Sequence, residues 1–177
     1  MIMRSNGELN MKIPPKYPHA YSKDYLKPTQ DLHCLLYKDF IENEKYDFFS
    51  LIDSYMQTSK IKEKMDEGNW SALNKGDKQL LNSINFSKCQ EKKSNSYIVD
   101  IIVARWMANI YTLFQWKYNI SSKELNSTLP SKTLYELFNP LHETSLDNAC
   151  EKIVYKYFPQ LMNRIDEKES VDYEYDK

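Results

Sequence analysis

The chain has 177 residues, with 24 Lys and Arg against 25 Asp and Glu, so the formal net charge is −1. This length suits one domain with a real core, and three glycines are too few for glycine-rich phosphate loops or a sheet built from tight hairpins. Cys34, Cys89 and Cys150 are widely spaced without a CxxC pair, which argues against a disulfide framework or a structural zinc site and predicts a cytoplasmic setting.

Lysine, asparagine, isoleucine and tyrosine abound, while arginine is confined to Arg4, Arg105 and Arg164. An AT-rich coding sequence produces that bias, so the lysines are not evidence for nucleic-acid binding. Charge is uneven: residues 1–28 hold five basic and two acidic side chains, and residues 166–177 (DEKESVDYEYDK) six acidic and two basic ones. Opposed charged ends are read as solvated termini.

The N-terminus, MIMRSNGELNMKIPPKYPH, has no long apolar run of the kind a secretory signal needs. Residues 10–28 (NMKIPPKYPHAYSKDYLKP) carry four prolines and three tyrosines. Proline fixes φ and removes a donor, so an extended arm is expected there, with Tyr17, Tyr21 and Tyr25 as anchors.

A first helix is expected from Thr29 or Asp31, capped there, through Leu32, Leu35, Leu36 and Phe40 to about Glu44. A second is expected from Asp47 to Asp66. Its later half, SKIKEKMDE, is charged enough to predict projection into solvent, and Gly68 stops it. Trp70 to Phe86 reads as a shorter helix interrupted near Gly76, and residues 87–96 as an exposed loop.

Then comes SYIVDIIVARWMANIYTLFQW, residues 96–116, with only Asp100 and Arg105 charged. Each costs about 2.5 to 3.5 kcal/mol at a membrane centre, against about 0.3 to 0.6 recovered per Ile, Leu, Val or Phe, so a span does little better than break even. At about 100° per residue, Val99, Ile102, Val103, Trp106, Met107, Ile110, Leu113 and Phe114 fall within an arc of roughly 140°. Asp100, Ala104, Arg105, Ala108, Asn109, Thr112 and Gln115 occupy the other side, and Ile98, Ile101 and Trp116 extend burial around the flanks. The run is read as the central helix of a bundle. Asp100 and Arg105 lie about 140° apart and cannot pair within it, while Arg105, Asn109 and Thr112 form a polar stripe.

Beyond it, Ser121 and Glu124 have capping-box spacing, with Ile120 and Leu125 as the staple across it. Pro130 ends that helix, Ser131 starts another that stops at Asn139-Pro140, and Thr144 or Ser145 caps a last one bent or ended by Pro159. No run alternates with period two over a strand's length. The expectation is an all-α fold: a single compact bundle of six to eight helices around a central helix near residues 96–117. It assigns 1–28 to an extended Pro/Tyr-rich arm, 29–166 to the helical domain and 167–177 to a mobile acidic tail.

Chemistry is hard to find. His142-Glu143 has no second histidine four positions away, and nucleophile elbows, Walker loops and dinucleotide fingerprints are absent. A hydrolase centred on His142 and Glu143 would need further acids, bases or ligands from elsewhere in the fold. Cys34 adjoins His33, but neighbours on a helix point about 100° apart. SSKELNSTLPSKTLYELF, residues 121–138, superficially resembles a helix-turn-helix, so DNA binding by residues 121–139 is an alternative. Its second helix has no arginine, however, and its turn lacks the usual glycine.

The leading expectation is therefore a non-catalytic regulatory or inhibitory protein that acts by direct protein–protein binding, without cofactor, metal or membrane. Antitoxins, immunity proteins and phage anti-defence proteins belong to that class, and the AT-rich composition fits an accessory gene of a microbe, plasmid or phage. Tyr17, Tyr21, Tyr25, Arg105, Asn109 and Thr112 are the expected contacts, since aromatic and arginine side chains often anchor interfaces.

Overall fold

In the computed structural model, which describes residues 19–162, the chain forms ten α-helices among the described residues and no strands. They are α1 (Leu26–Glu42), α2 (Phe48–Thr58), α3 (Lys60–Asp66), α4 (Trp70–Leu73), α5 (Asp77–Leu81), α6 (Ile101–Tyr118), α7 (Ser122–Thr128), α8 (Ser131–Glu136), α9 (Phe138–Leu141) and α10 (Leu146–Tyr157). Most of the expected arm, the acidic tail and Tyr17 lie outside the described residues.

The all-α expectation holds, with ten helices among the described residues where six to eight were expected, because breaks such as Ser59 divide expected helices. α6 occupies the centre. It starts at Ile101, five residues later than expected, because Asp100 is its N-cap and the Asp100 carboxylate accepts from the Ile102 N–H at 2.7 Å. Asn119, at a positive φ of 48°, ends it. From Trp106 onward burial is nearly all-round: Trp106, Met107, Ala108 and every residue from Ile110 to Trp116 are buried. The side read as polar is covered as well, since Ala108, Thr112 and Gln115 lie on it.

α1 covers α6 running antiparallel to it. Near one end, the Trp116 indole N–H donates to the Tyr21 carbonyl at 2.7 Å. Further along, the Cys34 thiol lies 3.8 Å from the Arg105 carbonyl. On another side the Tyr111 hydroxyl donates to the Leu129 carbonyl, between α7 and α8, at 2.6 Å. On a third, Phe158 beyond α10 packs on Phe114 with ring centroids 5.0 Å apart. No helix among the described residues is long and apolar enough to cross a membrane.

Two expected boundaries are corrected at prolines. α1 begins at Leu26, after a 3₁₀ turn at Lys23–Tyr25, and neither Thr29 nor Asp31 caps it. Pro28 sits in its first turn, where a helix has no use for the missing N–H, and Thr29 is buried inside it. Pro140 likewise falls in the first turn of α9, so the chain stays helical through Asn139-Pro140.

The expected helix from Asp47 to Asp66 is two helices. Ser59 takes extended backbone angles, ends α2 and caps α3, its hydroxyl accepting from the Lys62 N–H. Nor does the charged half project into solvent. Lys62 and Asp66 pair at 2.7 Å with both side chains almost wholly buried. Asp66 also accepts from the backbone N–H and the hydroxyl of Ser122 at 2.6 and 2.8 Å. A buried ion pair needs such extra donors to offset its desolvation, and here they tie α3 to α7.

α3 stops at Gly68 as expected. The Gly68 N–H donates to the Met65 carbonyl and the Asn69 N–H to the Lys64 carbonyl, the paired bonds of a Schellman ending. φ at Gly68 is +73°, and a Cβ there would stand 2.6 Å from the Ala20 carbonyl oxygen. Gly68→Ala is therefore expected to destabilise the protein by more than about 1 kcal/mol in urea unfolding, combining left-handed strain with a backbone clash. An unchanged midpoint would mean that the 20–21 segment does not lie against this turn.

His33 is buried between the Thr29 carbonyl, 2.7 Å from Nδ1, and the Tyr55 hydroxyl, 3.0 Å from Nε2. The carbonyl can only accept, so Nδ1 carries the proton and Nε2 accepts from Tyr55. Burial, helped by the nearby Lys62 ammonium, pushes the His33 pKa down to about 3. The unfolded chain titrates near 6.5 and so binds the extra proton first. The stabilisation is complete above the unfolded value and is lost as pH falls from about 6.5 toward 3, with a slope of up to about 1.4 kcal/mol per pH unit. His33→Gln is expected to remove that one-proton slope from the acid limb of stability against pH. Parallel curves for the two proteins would refute the neutral buried imidazole.

Candidate partner-binding surface

The cap at Asp100 decides what happens to the apolar residues before it. Capping requires extended backbone at Asp100, and in extended chain successive side chains point to opposite sides. Val99 is buried and Ile98 is 97% exposed. At the start of α6, Ile102 is 66% and Ile101 40% exposed.

The segment leading to them is tied down. The Asp47 N–H donates to the Gln90 carbonyl at 2.9 Å and the Lys92 N–H to the Lys45 carbonyl at 2.8 Å, on either side of an antiparallel bridge between Tyr46 and Glu91. The Gln90 N–H donates to the Ser50 hydroxyl. Tyr97 stands edge-on to both Phe49 and Tyr135, with centroids 5.6 and 5.7 Å away. Lys132 of α8 reaches over the Tyr97 ring, its ammonium 5.2 Å from the centroid.

Tyr97 is therefore a ridge between two hollows. One, of about 250 Å³, is lined by Ile41, Phe48, Ile98 and Val99 with Lys92 and Lys93 at its rim. The other is a groove of about 570 Å³ over α2, lined by Asp47, Phe49, Ser50, Asp53, Gln57 and Lys88 among others. Its floor is already engaged: one Asp53 oxygen accepts from the Asn126 amide and the Ser131 N–H at 2.7 and 3.0 Å. The exposed large apolar side chains Trp70 and Tyr155 lie on other helices, α4 and α10.

Of the expected contact residues Tyr17 lies outside the described residues, and the others differ widely in exposure. Tyr21 is buried beside Thr29, and burial pushes its hydroxyl pKa well up. Tyr25 packs half-buried against the core. Along α6 the stripe sinks inward: Arg105 is exposed, Asn109 is half-buried with its side-chain oxygen 3.7 Å from the Cys34 sulfur, and Thr112 is buried. Arg105, one helical turn on from Ile101, adjoins Ile101 and Ile102. The isoleucines themselves were read from the sequence as core residues. The signal that exposes them is Asp100, a preferred cap residue inside an apolar run.

The residues considered for chemistry have local roles. His142 is exposed, its Nδ1 3.1 Å from the Phe138 and Asn139 carbonyls and its ring stacked on Phe138. Glu143 is exposed beside it. Burial raises the thiol pKa of Cys34, against the pull of Arg105, and raises those of Cys89 and Cys150 also, the opposite of an activated nucleophile. No group of three or more His, Cys, Asp or Glu among the described residues is placed to hold a metal ion.

The α7–α8 pair packs inward. Ser131 is wholly buried, its hydroxyl donating to the Phe49 carbonyl at 3.1 Å, and α8 has six residues, under two turns. No family model, curated protein or solved structure matches this chain.

Ile98→Asp and Ile102→Asp are each expected to change stability by less than about 0.5 kcal/mol, whereas Met107→Ala, in the closed part of α6, should cost about 2 to 5 kcal/mol. Urea unfolding measures both. A comparable loss in all three variants would place the isoleucines inside the fold.

Proposed function

We propose that this chain is a non-catalytic regulatory or inhibitory protein that acts inside the cell by binding another protein. Its contact surface is centred on Tyr97, Ile98, Ile101 and Ile102, with Arg105 at the edge. The observation that carries this reading is Ile98, a large aliphatic side chain almost fully solvated between Tyr97, which two aromatic rings hold edge-on, and the buried Val99. Burying such a side chain is worth about 1.5 to 3 kcal/mol. Apolar side chains grouped on a surface that is already formed are what association uses, because little has to be ordered on contact. Antitoxins, immunity proteins and phage anti-defence proteins work in this way, by occupying a target.

The expected outcome of co-purification from native cells is one stoichiometric protein with the wild-type chain and its loss with Ile98→Asp/Ile102→Asp, read by mass spectrometry. Recovery of nucleic acid alone, or of the same protein with the double variant, would overturn the proposal.

A further inference from the structure

Resting on that reading, we infer that the partner docks through an acidic segment with one apolar face, its apolar side chains on Ile98, Ile101 and Ile102 and its carboxylates on Lys93 and Arg105. The apolar centre and the charged rim carry this together. Ile101 and Arg105 are four residues apart on α6 and so occupy one side of the helix, with Ile102 beside them. Lys92 and Lys93 border the hollow that Ile98 lines, and Lys132 flanks Tyr97 on the far side. Cations thus stand around the apolar centre on several sides.

These cations have no carboxylate partners of their own: among the described residues, Lys92, Lys93, Arg105 and Lys132 take part in no ion pair. Lys92 donates to the Asn43 carbonyl. The carboxylates nearby already serve other groups: Asp47 and Asp53, which line the groove with Lys132, accept from the Ser50 N–H and from Asn126 and the Ser131 N–H. Asp100 is engaged as the cap of α6, and Glu91 bridges to Tyr46, where its charge acts on Lys45.

An apolar surface with an uncompensated basic rim calls for the opposite sign in its partner. A second copy of the same surface would set the two rims against each other. An anionic lipid surface shares the required charge, but insertion into it needs apolar side chains that project beyond their surroundings. The apolar residues here alternate with a fixed ring, Tyr97 held edge-on by Phe49 and Tyr135, and border a hollow of about 250 Å³. That is room for the side chains of a segment, and the vesicle arm of the test separates the two sources of negative charge.

The test uses the full chain and a fluorescein-labelled amphipathic peptide of about 16 residues, with leucines on one face in the manner of groove-binding helices and glutamates elsewhere. A second peptide carries lysine in place of each glutamate. By anisotropy, the wild-type chain should bind the glutamate peptide saturably and prefer it by about tenfold or more, with binding weakened by salt. Ile98→Asp should weaken it about tenfold. Lys93→Glu/Arg105→Glu should reverse the preference between the two peptides, which a merely misfolded variant would not do.

No binding of the glutamate peptide, equal binding of the two peptides, or binding only to phosphatidylcholine vesicles containing phosphatidylserine would overturn the inference. The native partner separates the two levels. Capture lost with Ile98→Asp but untouched by the charge reversal leaves the binding function standing and removes the acidic segment. Capture untouched by Ile98→Asp removes both.

Discussion

A helix that is apolar on almost every side has to be covered on almost every side, and α6 sets that demand for the whole domain. α1, the α7–α8 pair and the Phe158 end of α10 each take one flank of it. Their own contacts supply what a purely apolar wrapping would lack. The Trp116 indole finds the Tyr21 carbonyl, and the Tyr111 hydroxyl finds Leu129. Both polar tips are thereby satisfied within the core, as buried aromatic residues require.

Short helices α2, α3, α7 and α8 are held by two carboxylates, half-buried Asp53 and the almost wholly buried side chain of Asp66, that collect backbone and side-chain donors from distant segments. Asp53 gathers Asn126 and the start of α8; Asp66 gathers Lys62 and the start of α7. One acceptor serves several donors in each case, which suits helices too short to be stable alone. These carboxylates were not legible in the sequence. Asp66 looks like any residue of a charged stretch until Ser122, 56 positions later, is brought beside it.

What was legible is local. Ser121 and Ser145 cap the helices assigned to them, Ile120 and Leu125 are buried where the staple put them, and Gly68 ends α3. Each depends on a bond or contact within a few residues. The breaks at Ser59 and Asp100 are local too, but both fall inside segments whose periodicity continues past them. Periodicity records which faces are apolar; it does not record where a cap interrupts the helix, and it cannot say how far the covering helices reach. The polar stripe on α6 failed for that second reason. Its residues share a side, yet that side passes from solvent at Arg105 to the core at Thr112.

The same limit explains why the proposed surface lay inside the run that looked most like core. Ile98, Ile101 and Ile102 are as apolar as Ile110, and only the start of the helix separates their fates. If the helix ran back to Ser96, Val99 would stay on the apolar stripe with Ile98 on its flank, but the cap at Asp100 would be lost. Asp100 keeps the N–H of Ile102 satisfied, Val99 anchors the extended strand of chain, and Tyr97 is locked by its neighbours. Ile98 has no inward position left. Its exposure is thus the consequence of three favourable contacts around it, which makes it a fixed feature of the free protein, as the proposed contact surface requires.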